Sequence, residues 1–357
     1  MPLKATPYSN IKIFAHPDKI DSMKNGDRTA PLFLRIKPTN MCNHRCYYCS
    51  YADDVLGLRD RVAKNDQIPW GKMREILDDM ASMGVKAVIF SGGGEPLVYP
   101  KIVSALRKAR DSGIDFAMIT NGQLLNGERA EALSNAKWVR VSFDSADAET
   151  YAMTRGVSPA SWGQVCENIK NFSRLKAPSC ELGVNFVITH DNASQAYEAA
   201  KLVKSLGANH IKFAARVTKD LHEYHKPFKE NAFELIHMAI SDFADDSFRV
   251  VNKYEEDFEH DAVPVRPYSK CFIKDISAVI GADSKVYFCH DKAYVSNGVV
   301  GDLKERGFKE LWFSDELTER FNNFDPVAEC RHHCVYDDRN ILLNTFFSLN
   351  HNHINFV

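Results

Sequence analysis

Nowhere in the 357 residues do 18 apolar residues run consecutively, so a membrane-spanning helix is not expected. The opening residues, MPLKATPYSNIKIF, lack both an apolar run and a small-residue cleavage site, so no secretory signal is expected either. A net charge of −2 supplies no field that would draw the chain to nucleic acid or to an anionic membrane. Solenoid-period repeats and low-complexity tracts are missing as well. What remains is the expectation of a cytoplasmic globular protein, long enough for one large domain and a smaller one.

Against that background the cysteines stand out. There are nine, an odd number in a chain without a secretion signal, which argues against a disulfide framework and for metal or catalysis. Seven fall in two groups, Cys42/Cys46/Cys49 and Cys271/Cys289/Cys330/Cys334, while Cys166 and Cys180 lie apart at positions that suit buried, inert thiols.

Short β-rich runs alternate with helical runs from about residue 32. Strands are predicted over Leu32–Lys37, Ala87–Phe90, Phe116–Thr120, Trp138–Phe143, Gly183–Thr189 and Ile211–Arg216, with helices between them. Six such repeats imply an α/β fold: a parallel sheet curled into a partial (β/α)6 TIM-like barrel, with chemistry at the C-terminal strand ends. Residues 1–30 read as an N-terminal extension, 31–217 as the barrel and 218–267 as a charged, helical linker.

The run Cys42-Asn-His-Arg-Cys46-Tyr-Tyr-Cys49 closely follows the first strand. Three thiolates on one loop hold three corners of an iron cube and leave the fourth iron open, as a catalytic centre requires. Structural zinc would want a fourth ligand, and His44 inside the loop would be cramped in that role. The spacing C-x3-C-x2-C, with the aromatic Tyr48 before the last cysteine, resembles the signature of the radical S-adenosylmethionine (SAM) superfamily. The resemblance implies that SAM chelates the open iron. An electron from the cluster then cleaves SAM, and the resulting 5′-deoxyadenosyl radical abstracts a substrate hydrogen. It also implies an external electron donor such as flavodoxin or ferredoxin.

Further motifs extend the likeness. The second strand runs into Ser91-Gly92-Gly93-Gly94-Glu95-Pro96, which on its own is either a turn or an anion-cradling loop. It resembles the family's GGEP motif, which places Gly93, Gly94 and Glu95 at the SAM amino group. Asn121 in Thr-Asn-Gly is either a plain turn residue or, by resemblance, a ribose contact. Ser142, and Arg155 in Met-Thr-Arg-Gly, are carried over to the SAM carboxylate, Asp144 beside them less directly. Asn185 serves the adenine or bonds to backbone.

Cys271 and Cys289 flank a predicted hairpin, and Cys330-Arg-His-His-Cys334 follows; four thiolates close either a [4Fe–4S] site or an all-thiolate zinc site. The segment, taken as 268–340 with a tail of 341–357, resembles the SPASM/twitch extension of radical SAM enzymes. One departure is Ser284, where relatives commonly have glycine. The resemblance implies a second, auxiliary [4Fe–4S] cluster without an open iron.

For the substrate the main expectation is a small, anionic molecule such as a sugar or sugar nucleotide; the alternative is a ribosomal peptide, and a zinc or electron-carrying protein without SAM chemistry is the remote third. Strand alternation turns Lys212 and Arg216 toward the lumen, with Arg140, Arg35 and Lys37, which is what favours an anion. Those cations pair instead with lumen carboxylates such as Asp144 in the rival reading. His290, after Cys289, is a further candidate at the barrel mouth.

Overall fold

The computed structural model describes residues 9–53, 57–260, 266–330, 334–349 and 352–355. Its barrel strands are β1 Phe33–Ile36, β2 Ala87–Phe90, β3 Asp115–Thr120, β4 Trp138–Ser142, β5 Glu181–Ile188 and β6 His210–Ala215. After a short helix α1 (Pro17–Asn25), the covering helices are α2 Trp70–Met83, α3 Ile102–Asp111, α4 Gly127–Leu133, α5 Ala148–Arg155, α6 Ala160–Leu175 and α7 Ala196–Ser205. Pro69 caps the start of α2 and Gly84, at φ 78°, its end. All six predicted strands are present, within two residues at each end.

Period-two alternation decides which face meets the helices. Leu34, Ile36, Val88, Phe90, Val139, Val141, Ile211 and Phe213 are buried against α2, α6 and their neighbours in one continuous core. Each such side chain contributes about 1.5–3 kcal/mol of apolar burial. The residues between them, Arg35, Arg140, Ser142, Asn185 and Lys212, therefore point to the opposite, lumen face.

Two features add to the expected division of the chain. The supposed helical linker does contain helices, α8 (Leu221–His225), α9 (Lys229–Phe243) and α10 (Lys253–His260), but also a strand, β7 (Arg249–Asn252), parallel to β6. The buried Phe248 and the β-branched pair Val250-Val251 make that strand. Beyond the short helix α11 (Ile273–Ile276), the predicted hairpin is β8 (Ser277–Ile280) and β9 (Lys285–Tyr287), followed by β10 (Val299–Asp302). β8 lies parallel to β1, pairing Arg35 with Val279, so the hairpin extends the barrel sheet itself. The sheet order is β10-β9-β8-β1-β2-β3-β4-β5-β6-β7.

Helices α12 (Phe308–Trp312), α13 (Asp315–Asn322) and α14 (Pro326–Glu329) lead back to the last cysteines, and α15 (Asp337–Phe347) takes up part of the expected tail. Ile13, Ile20 and Met23 from the N-terminal extension share a second core with Ile273, Ile276 and Leu343, packed against Phe33. No helix among the described residues is long and apolar enough to cross a membrane.

Candidate functional site

The loop after β1 carries Cys42, Cys46 and Cys49, and neighbouring loops hold it at several points. The Gly94 and Glu95 amides donate to the Thr39 and Met41 carbonyls at 3.0 and 2.9 Å. A Cβ on Gly93 would collide with the Asn40 side chain, and one on Gly94 with the Met41 carbonyl, so the glycine run is needed for this close approach. Asn121 donates to Asn43 Oδ1 at 2.7 Å, and Gln123 Oε1 accepts from Asn43 Nδ2 at 3.1 Å and from His44 Nε2 at 2.8 Å. His44 is thereby buried against the loop after β3 and edge-on to Tyr151, with burial pushing its pKa down to about 4. Its Nε2 is occupied by Gln123. Asn43 and Gln123 went unnoticed in the sequence, because amide residues in loops carry no periodic signal.

A buried ionic knot lies beneath the loop. Arg155, at the end of α5, forms an ion pair with Asp144, whose other oxygen accepts from the Val187 amide at 2.7 Å. The Tyr48 hydroxyl donates to the same carboxylate, and Arg155 Nη1 reaches Cys46 Sγ at 3.6 Å. Burial alone would raise the Asp144 carboxyl, and Arg155 and Tyr48 oppose that rise. Asn192, also missed in the sequence, donates to the Asp144 and Val187 carbonyls, both at 2.9 Å. Two expected SAM contacts, Arg155 and Tyr48, are thus engaged within the protein, because Asp144 lies fully buried between them.

Glu95 is similarly occupied. Its carboxylate accepts from Leu97 N at 3.0 Å, Thr120 Oγ1 at 2.6 Å and Asn121 N at 2.7 Å, tying β2 to the end of β3. Ser142 and Asn185 sit side by side in register on β4 and β5, half-buried on the lumen face. Among the described residues their side chains make no hydrogen bond with protein, which leaves a hydroxyl and an amide on the lumen face.

Cys271, Cys289, Cys330 and Cys334 line one cavity together with Arg266, Lys274 and Asn340. Asn340 Nδ2 donates to Cys271 Sγ at 3.6 Å. Burial holds all four thiols above their ordinary pKa, Cys330 at about 11, while Arg266 and Lys292 act on Cys330 in the opposite sense. Four soft donors beside cations fit an anionic iron–sulfur cluster. On the β1 loop, Cys42 feels both Cys46 and Cys49, and its thiol is pushed up to about 12, chiefly by burial. Among the described residues no three His, Cys, Asp or Glu side chains are gathered closely enough to hold a single metal ion. His332 and His333 lie outside the described residues. Cys166 and Cys180 pack with the helix-side core, with pKa values raised to about 12 and 11 by burial, as expected of inert thiols.

The lumen cations divide. Arg216 does not offer a free charge: Asp53 of the cluster loop accepts from Nη2 at 2.7 Å, and the guanidinium lies 5.1 Å from the rings of both Tyr47 and Tyr224. It clamps that loop to the end of β6. Lys212 is lowered to about 7 by burial and by Arg140, with Asp257 opposing. His290 is held well below its usual range by burial and then by Arg35, Lys37 and Arg140.

Comparison with known proteins follows the same division of the chain. Residues 36–203 match the model of the radical SAM superfamily, and residues 271–335 that of an iron–sulfur cluster-binding domain. A PqqA peptide cyclase of Gluconobacter oxydans is 28% identical over 186 residues, 52% of this chain and 49% of the relative. A GTP 3′,8-cyclase of Limosilactobacillus fermentum is 31% identical over 157 residues, 43% of this chain and 45% of the relative. The chain spans about half the length of the curated relatives it matches. Streptococcus suis SuiB bound to its precursor peptide SuiA shares the fold at TM-score 0.64 and 18% identity, over 95% of this chain and 80% of SuiB.

Proposed function

Because this chain is a radical SAM enzyme with a C-terminal SPASM-type cluster-binding domain, we propose that its substrate is a peptide. The observation that carries this reading is the sequence match to the PqqA peptide cyclases, 28–30% identical over 52% of this chain. The fold shared with the SuiB–SuiA complex supports it. The small sugar or sugar nucleotide expected by family analogy becomes the second reading; GTP 3′,8-cyclases match over 43–50% of this chain, against 52% for the PqqA peptide cyclases.

Cys42, Cys46 and Cys49 are the residues that would hold the first cluster, and Cys271, Cys289, Cys330 and Cys334 the auxiliary one. When bound, the first cluster supplies the electron that cleaves SAM to a 5′-deoxyadenosyl radical, the species that takes a hydrogen from substrate. The protein's own part is positional. Asp144, Arg155 and Tyr48 fix the cluster loop, while Ser142 and Asn185 present a hydroxyl and an amide to SAM from the lumen wall. Four thiolates around the auxiliary site leave no open iron, so its role is electron transfer, fed by an external flavodoxin- or ferredoxin-type donor.

The test uses anaerobically reconstituted protein, SAM, dithionite and a deuterated cell lysate separated into peptide and small-molecule fractions. Deuterium should enter 5′-deoxyadenosine from the peptide fraction, and prior protease treatment should abolish it. Transfer from the small-molecule fraction alone would contradict the proposal.

A further inference from the structure

We propose that Lys37 is a countercharge shared by the two cluster sites, an ammonium held at the seam between their loops that favours the reduced state of each. This role follows from the two-cluster reading of the cysteines and is independent of the substrate.

Lys37 lies between the end of β1 and Cys42 and is fully buried, which is rare for a lysine unless it is paired. Its Nζ donates to the Tyr51 hydroxyl. The same nitrogen stands 4.4 Å from the centre of the Tyr51 ring and 5.0 Å from that of Tyr294. The two rings meet edge to face, with centroids 6.0 Å apart. They come from different cluster loops, since Tyr51 follows Cys49 and Tyr294 follows Cys289. Further contacts fix the seam. The Tyr294 hydroxyl donates at 2.6 Å to Oδ1 of Asn40, just ahead of Cys42, and accepts from the Ala282 amide at 3.2 Å. Tyr294 holds φ at 65°, a left-handed conformation that a tyrosine keeps only where its surroundings enforce it.

No carboxylate forms an ion pair with this ammonium among the described residues, and its one hydrogen-bond acceptor there is the Tyr51 hydroxyl. Aromatic faces attract a cation but offset only part of its lost hydration. Burial accordingly holds Lys37 well below its ordinary pKa, and Arg35 acts in the same sense, while Asp291, Asp283 and the Cys289 thiol oppose it. Other cations serve one site each and are already matched. Arg155, beside Cys46, pairs with Asp144, and Arg266, bonded to the Cys330 carbonyl, pairs with Asp337. A [4Fe–4S] cluster on thiolates is anionic, and its reduction adds one electron from the external donor without making or breaking a bond. A fixed positive charge in a poorly hydrated interior offsets that added negative charge.

The experiment is an anaerobic redox titration of the two-cluster protein, read by electron paramagnetic resonance, in wild type, Lys37→Met, Lys37→Gln and Lys37→Arg. The signal that changes on adding SAM assigns the first cluster. Iron content of about eight per chain checks the two-cluster reading separately, and circular dichroism checks the fold. In the Met and Gln variants each cluster should become about tenfold or more harder to reduce, a shift of about 59 mV to more negative potential. Lys37→Arg, which keeps the charge, should stay close to wild type. Unchanged potentials in both neutral variants, a shift confined to one cluster, or an equal shift in Lys37→Arg would overturn the proposal. Loss of iron from both neutral variants would also overturn it, because Lys37 would then serve assembly rather than potential.

Discussion

At the scale of single residues, Ser284 shows how a departure from pattern is absorbed. It takes the glycine-like conformation at φ 63°, in the turn between β8 and β9, and its carbonyl accepts from the Leu303 amide at 2.9 Å. A left-handed non-glycine residue costs about 1–2 kcal/mol, part of which a glycine's greater unfolded-state freedom cancels. Ser284→Gly should therefore stabilise the fold by about 0.5–1 kcal/mol, read as a rise in Tm of about 1–3 °C. A lowered Tm would mean the side chain contributes more than its backbone strain costs. The same scale marks the limit of sequence reading at the site. The cluster cysteines were legible because their spacing is itself the signal. The partners of Arg155, Tyr48 and Glu95 were not, because they sit on other elements. Asp144, for instance, meets Arg155 only once α5 has formed and Gly156, at φ 62°, has closed its end.

Among elements, hydrophobic alternation made β1 to β6 legible, since one face of each is buried against helices. It failed for β7, an edge strand of four half-buried residues, where no clean alternation survives. Nor did it reveal that β8 pairs with β1, because register between distant segments leaves no local mark. Beside β7, the short helix α8 is anchored through His225, which is fully buried with Nδ1 2.9 Å from the Tyr254 hydroxyl. Burial holds the His225 pKa at about 4, below its ordinary 6.5. The unfolded chain therefore takes up this proton first as the pH falls, and the stability present above 6.5 is lost progressively toward 4. A His225→Phe variant should show a shallower loss of stability between pH 6.5 and 4 in denaturant titrations. An unchanged slope would mean that another group governs that window.

For the whole molecule, the ten-strand sheet joins the two cysteine sets into one architecture. The hairpin that leads from Cys271 to Cys289 lies against β1, and β1 leads directly into Cys42, Cys46 and Cys49. The auxiliary site is therefore bound to the wall of the catalytic lumen rather than set on a separate lobe, a placement that suits electron transfer. The central claim, that radical generation depends on the β1 loop alone, is tested most directly by replacing Cys42, Cys46 and Cys49 together with Ala. The measurement is iron content and 5′-deoxyadenosine formation from SAM under reducing, anaerobic conditions. The account predicts a fall from about eight irons to about four, retained on Cys271, Cys289, Cys330 and Cys334, with no 5′-deoxyadenosine formed. A triple variant that still produced 5′-deoxyadenosine would contradict it.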